Sequence, residues 1–249
     1  MNQYVIEIDH AKKMFGDEVV LNDVCLKMES GKIYGIVGYN GSGKTVLFKC
    51  ICGFYHLDAG QIRINGKVLG KDLDMIEDAG IIIEEPAYIR TLSGFKNLDL
   101  LYRINHKPDR AQIERAMEQV GLNPKLRKKV GHYSLGMRQR LAIAQATMEN
   151  QKVLILDEPM NGLDKNGVRQ MRKFFENKRA EGKLIIMASH NNMDIEQLCD
   201  KVYELENGSL QKKKEEEKQV KEAAREWKSG SGQPLAENTK GAKSAFLLY

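Results

Sequence analysis

Three clusters of residues have the types and spacing for polyphosphate chemistry. The first is GYNGSGKT, residues 38–45, which matches G-x-x-x-x-G-K-[ST]. Gly38, Gly41 and Gly43 let the backbone fold so that successive N–H groups converge on a polyphosphate, with Tyr39, Asn40 and Ser42 between them. Lys44 offers a mobile cation to the outer phosphates, and Thr45 offers a hydroxyl oxygen to magnesium; Val46 follows. The second cluster is VLILDEP, residues 153–159, where an apolar run ends in two acids. Asp157 is placed to hold magnesium, directly or through water, and Glu158 lies one step further out, where it can polarise an attacking water. The third is His190, at the exit of LIIMASH. A lone histidine is usually structural, but the C-terminal end of a strand in an open α/β sheet is the ligand edge, so a functional role is expected.

The surrounding pattern supplies elements to carry these groups. Residues 33–37 read as a buried strand, and Leu47, Phe48 and Ile51 share one face of a following helix. The helix adds its positive N-terminal end to the loop. Upstream, residues 3–9 and 19–28 read as strands of a small antiparallel layer. Phe15 between them either stacks on an adenine ring or packs in the core. Asp58-Ala59-Gly60 breaks the pattern, and Asn65-Gly66 turns a hairpin. Residues 79–83 form a short strand ending in Glu84-Glu85-Pro86, and Pro86 biases Glu85 away from helix.

From about residue 92 to 148 the period is helical. Asn97, Leu98, Leu100, Leu101 and Ile104 suggest one amphipathic face, and Ile113, Met117 and Val120 another, stopped by Gly121. Residues 125–129, KLRKK, read as a solvated basic face. Leu141, Ile143, Ala144 and Thr147 lie on a helix after Gly136. Strands are expected at 153–159, at 184–190 on the same pattern, and at 202–210, where the sheet ends. Residues 212–228 read as a charged helical extension, followed by a flexible SGSGQP linker and an unassigned tail.

Bulk properties narrow the class. The 249 residues allow one substantial core with a subdomain. A net charge of +5 is mild and does not call for nucleic acid or a lipid surface. A mean hydropathy of −0.47 suits a soluble protein, no apolar run approaches the roughly 18 residues of a membrane span, and the N-terminal stretch lacks a signal-peptide pattern. Cys25, Cys50, Cys52 and Cys199 lie within apolar patterns and read as reduced core thiols rather than half a metal site.

The order of these motifs resembles the ATP-binding subunit of an ABC transporter over about residues 4–210. YSLGMRQR, residues 133–140, is similar to the family signature, NGLD at 161–164 to the loop after the magnesium-site strand, and His190 to the switch histidine. The resemblance implies an α/β fold: a P-loop NTPase core, a RecA-like mixed sheet with helices, carrying an N-terminal antiparallel β subdomain and an inserted helical subdomain at about 87–148. Residues 1–211 would form the ATP-binding domain and 212–249 an appendage. It assigns Phe15 to adenine stacking. It further implies ATP and Mg2+ as cofactors and a head-to-tail pair of chains. Each ATP would lie between residues 38–45 of one copy and Ser134 and Gly136 of the other, with Asp164 coupling the two sites.

Four departures from the family pattern stand out. Leu135-Gly136-Met137 replaces Gly-Gly-Gln, Val46 replaces Ser or Thr, Phe15 replaces Tyr, and Glu84 stands where Gln is usual. Glu84 would contact magnesium and add a third carboxylate to Asp157 and Glu158. A Glu followed by Pro and an aromatic resembles the bacitracin-resistance and lantibiotic-immunity exporter branch. The implied role is ATP hydrolysis at the cytoplasmic face of the cell membrane, powering export through separate permease subunits, with no nucleic-acid partner. The alternative is a soluble cassette acting on ribosomes or in cofactor assembly.

Overall fold

The computed structural model describes residues 4–189 and 192–213; the expected charged extension, linker and tail lie outside that range from residue 214 onward. The chain begins with an antiparallel pair, β1 (Val5–Phe15) and β2 (Glu18–Glu29). Alternation buries Ile6, Ile8, Leu21, Val24, Leu26 and Met28 on one face. β1 runs well past the expected end at residue 9, because a register shift between Ile8 and Ala11 absorbs an extra residue and resets the alternation. β4 (Ala59–Ile64) and β5 (Lys67–Val68) complete the sheet in the order β2-β1-β4-β5, once β3 (Ile33–Val37) has been passed in the chain. Gly60 lies inside β4 instead of breaking the pattern: its φ is +78°, and a Cβ there would stand 2.1 Å from the His10 carbonyl oxygen.

The larger sheet holds β3 (Ile33–Val37), β6 (Ala79–Ile82), β7 (Val153–Asp157), β8 (Leu184–Ala188), β9 (Lys201–Glu206) and β10 (Ser209–Lys212). Their order is β10-β9-β3-β8-β7-β6, parallel except for the β9–β10 hairpin. That hairpin turns at Asn207-Gly208, a turn dipeptide inside the single strand expected at 202–210. Lys212, expected to open a helical extension, is the last residue of β10.

Helices cover both faces of this sheet. α1 (Lys44–Cys52) buries Leu47, Phe48 and Ile51 toward the antiparallel layer, beside Tyr34, Ile36, Ile155 and Ile186. On the other face, α3 (Arg110–Gln119), α4 (Leu135–Thr147), α5 (Lys165–Ala180) and α6 (Asn192–Leu198) pack over Ile33, Leu154, Leu156 and Met187. α2 (Gly94–Tyr102) joins α3 and α4 between β6 and β7. Its inner face is Asn97, Leu98 and Leu101. Leu100 and Ile104 are exposed, since residues two apart do not share a helix face and the helix stops before Ile104. α5 has no counterpart among the expected elements, although Met171, Phe174, Phe175 and Lys178 carry the i, i+3, i+4, i+7 spacing and Asp164 caps it.

Burial pushes the Cys50 and Cys52 thiols up to about 11 and about 12, so both are neutral core groups. Cys199 is also buried, but Cys25 is exposed, pointing away from its buried neighbours Val24 and Leu26.

Gly80 fixes how closely α4 approaches the sheet. A Cβ there would lie 1.7 Å from the Ala146 carbonyl oxygen and 2.8 Å from Leu154 Cδ2. Gly80→Ala is expected to destabilise the fold by about 1–3 kcal/mol through overpacking. Thermal unfolding checks this, and an unchanged melting temperature would show that the α4 contact is slack.

Candidate active site

The loop between β3 and α1 has the conformation that its glycines permit. Gly41 and Gly43 sit at φ +86° and +100°. A Cβ on Gly38 would meet the Leu205 carbonyl at 2.5 Å and Ser42 Oγ at 2.6 Å. Ser42 Oγ is buried without a hydrogen-bond partner among the described residues, the mark of a polar group built for a ligand. Lys44 is 8% exposed, and its ammonium donates to the carbonyls of Gly38 at 2.8 Å and Tyr39 at 3.0 Å. A phosphate oxygen would compete for that same ammonium. Asn40 and Gly41 are exposed; so is Tyr39, whose hydroxyl donates to Asn207 Oδ1 at 3.3 Å. Val46 turns inward, against the core on the α1 side.

Thr45 and Asp157 meet although their strands do not. β8 lies between β3 and β7, so Asp157 ends a strand one removed from the strand that leads into the loop. Thr45, in the first turn of α1, reaches over the C-terminal edge and donates its hydroxyl to Asp157 Oδ2 at 2.6 Å. Burial raises the Asp157 carboxyl above the usual carboxylate range. The Thr45 hydrogen bond opposes this, Glu158 adds to it, Lys44 opposes it, and Glu84 adds to it in turn. A half-buried carboxylate beside a hydroxyl oxygen, still short of positive charge, fits a hard divalent cation.

Glu158 leaves the strand in a left-handed conformation, φ +50°. Its N–H donates to the Ala188 carbonyl at 2.9 Å, and Gln139 Nε2 donates to the carbonyls of Glu158 at 3.3 Å and Pro159 at 3.0 Å. Ser189 donates its hydroxyl to the Glu158 carboxylate at 3.2 Å. Neither Gln139 nor Ser189 was singled out from sequence; Ser189 immediately precedes His190, which lies outside the described residues.

The consecutive glutamates point to different helices. Glu84, at φ +65° and largely exposed, pairs with Lys49 Nζ of α1 at 2.6 Å. Glu85 pairs with Arg138 Nε of α4 at 2.6 Å, and Arg138 also donates to the Tyr133 carbonyl at 2.9 Å. The Glu84 charge therefore does not stand uncompensated near Asp157 and Glu158; Lys49 offsets it, a partner that sequence spacing did not reveal.

Phe15 is 44% exposed, which removes the core-packing alternative. Its ring meets the edge of Tyr55 at 5.4 Å and carries Lys13 Nζ at 5.3 Å. Ser134 caps α4, accepting from Met137 N at 3.2 Å, and Asp164 caps α5, accepting from Gly167 N at 2.7 Å. A Cβ on Gly136 would lie 2.9 Å from the Gly162 carbonyl, so Ser134, Gly136 and the 161–164 loop form a second cluster at two helix N-termini.

Comparison with known proteins bears on this arrangement. The sequence profile described as "ABC transporter" matches residues 21–161. The bacitracin transport ATP-binding protein BcrA of Enterococcus faecalis is 37% identical over 210 residues, covering 84% of this chain and 68% of that protein. The lantibiotic transport ATP-binding protein SrtF of Streptococcus pyogenes is 34% identical, covering 85% and 91%. In fold, the chain is similar to a bacterial ABC transporter cassette solved as a dimer, with a TM-score of 0.75 at 20% identity over 84% of this chain and 98% of that one.

Asp157→Asn tests the electrostatics of the centre. A carboxyl whose pKa is raised by folding costs stability once pH rises through its folded pKa, because the unfolded chain ionises more readily. The amide removes that cost and can still accept from Thr45. The variant is expected to melt higher than wild type at neutral pH without ligand, and to lose most of the further stabilisation given by ATP with magnesium. Differential scanning fluorimetry reads both, and full retention of the magnesium-dependent shift would contradict the assignment.

Proposed function

The chain belongs to the ABC transporter family of ATP-binding proteins, and from that premise we propose that it is the ATP-hydrolysing subunit of an exporter of antimicrobial peptides of the bacitracin or lantibiotic kind. The observation that carries the hydrolytic reading is the 2.6 Å contact between Thr45 Oγ1 and Asp157 Oδ2, with Glu158 one residue beyond at the same sheet edge. The names of the relatives support transport over a soluble role on ribosomes or in cofactor assembly. In the described residues no helix is long and apolar enough to cross a membrane, in keeping with separate permease subunits.

The residues divide the work as follows. Residues 38–45 wrap the triphosphate through backbone N–H groups. Lys44 moves its ammonium from the loop carbonyls to the outer phosphates, gaining charge-assisted hydrogen bonds in a partly desolvated place. Thr45 and Asp157 hold Mg2+, which when bound neutralises phosphate charge and orients the terminal group. Glu158 accepts a proton from the attacking water, with Ser189 and Gln139 fixing its carboxylate and backbone. His190 steadies the same water or phosphate. Glu84, held by Lys49, would be a further carboxylate for the cation, so Lys49 and the metal would compete for one carboxylate. Phe15 stacks on adenine. Ser134 and Gly136 of a second copy meet the γ-phosphate through a helix N-terminus, and Asp164 joins the two sites. Residues 1–211 form the domain that does this, with 87–148 as its helical subdomain, at the cytoplasmic face of the membrane.

Glu158→Gln is expected to bind ATP and to hydrolyse it about 10²–10⁴-fold more slowly, since the amide keeps the shape but is no base. A MgATP-dependent dimer should accumulate, visible by size-exclusion chromatography. In cells, the same substitution should abolish protection against bacitracin or a lantibiotic. Wild-type turnover in the variant would move the water chemistry to another residue; lost turnover with intact protection would overturn the export reading alone.

A further inference from the structure

The β1–β2 hairpin carries a cluster of chemistry-bearing side chains that nucleotide hydrolysis does not use. Where the register slips between Ile8 and Ala11, two consecutive β1 residues, Asp9 and His10, oppose a single β2 residue, Cys25. A carboxylate oxygen, an imidazole nitrogen and a thiol sulfur thereby come within 4.8 Å of one another. The His10 N–H also donates to Cys25 Sγ at 3.3 Å.

The groups around this trio set its orientation. His10 Nδ1 is 2.5 Å from Asp23 Oδ1, and His10 Nε2 is 3.8 Å from Asp9 Oδ1. With Nδ1–H donated to Asp23, the neutral ring presents Nε2 as its lone-pair donor, the arrangement by which a carboxylate fixes the tautomer of a metal-binding histidine. Asp9 is steered from the other side: Gln61 Nε2 donates to Oδ2 at 3.2 Å and Arg63 stands 4.0 Å from the same oxygen, leaving Oδ1 turned to His10. Two ligands at about 2.0–2.2 Å on a tetrahedral ion lie about 3.3 Å apart, so the 3.8 Å spacing closes with a small side-chain adjustment. His10 and Asp23 both hold left-handed backbone, at φ 49° and 58°, and Gly60 is required on the third strand by the carbonyl of His10.

We propose that Asp9 Oδ1, His10 Nε2 and Cys25 Sγ form a binding site for a borderline-soft divalent cation, Zn2+ in particular, with Asp23 as the positioning residue for His10. A thiolate, an imidazole and a carboxylate together select such an ion over magnesium or calcium, which take oxygen ligands. The fourth position is open to solvent, because His10 and Cys25 are exposed. Binding releases the Cys25 thiol proton to solvent and leaves one Cys25 thiolate–metal bond, with no redox change. The ion ties the edge strand β2 to β1 at the bulge, on the hairpin that bears Phe15.

The test is a Co2+ titration of the reduced full chain, followed by the thiolate-to-cobalt charge-transfer absorption, with Zn2+ displacing the signal. Wild type should give a saturable one-to-one band. Cys25→Ser should abolish it, and His10→Asn, which tolerates the left-handed backbone, should weaken binding at least 10-fold. Asp23→Asn should keep the band and weaken binding about 10–100-fold. Melting curves of each variant without metal exclude misfolding, and Cys25→Ser should keep wild-type ATPase activity. No band, a band that survives Cys25→Ser, or one indifferent to His10→Asn would each overturn the site, leaving the nucleotide reading untouched.

Discussion

The hydrogen bond from Thr45 to Asp157 is the constraint on which the rest of the arrangement rests. It joins the first turn of α1 to the end of β7 across an intervening strand. For it to form, β3, β8 and β7 must run parallel and end together, which requires all three crossovers to return to the same edge. The fully buried apolar strands 33–37, 153–156 and 184–188 meet that requirement. Helices on both faces follow from it, since neither face of such a sheet can meet water.

Charge balance is the second theme. Asp157, Glu158 and Glu84 bring negative charge to the edge where a triphosphate would bind, and Lys44 and Lys49 of α1 oppose it. Each lysine has a partner in the chain: loop carbonyls for Lys44, Glu84 for Lys49. Both cations are thus satisfied within the chain, and under the proposed function nucleotide and metal would exchange with those contacts rather than meet bare charges. The loop bearing Glu84 and Glu85 touches α1 through one glutamate and α4 through the other. It therefore links α1 to α4, the helix capped by Ser134.

Much of this was legible in the residues. Contiguous motifs carry their own geometry: strand 33–37, the glycine loop and the face of α1 stand as spacing predicted. What escaped depends on elements far apart in sequence. The order of β8 between β3 and β7 is a property of crossovers, and the Lys49–Glu84 pair joins residues 35 apart. The β1 bulge hid the length of that strand, because one inserted residue reverses the alternation on which the reading relied; Cys25 is exposed for a plainer reason, the alternation of β2 between buried Val24 and Leu26. α5 was missed for a different reason: its cap and apolar spacing were present in the sequence between two strands that drew attention to their ends.

Under the proposed function Thr45 and Asp157 share one cation, which is tested most directly by measuring ATP affinity with and without magnesium in wild type and Thr45→Val. Calorimetry of the wild-type chain should show magnesium tightening ATP binding. The valine variant should keep the magnesium-free affinity, which residues 38–44 supply, and lose most of the magnesium-dependent gain. An undiminished gain in Thr45→Val would contradict the shared cation and, with it, the reading of this sheet edge as the hydrolytic centre.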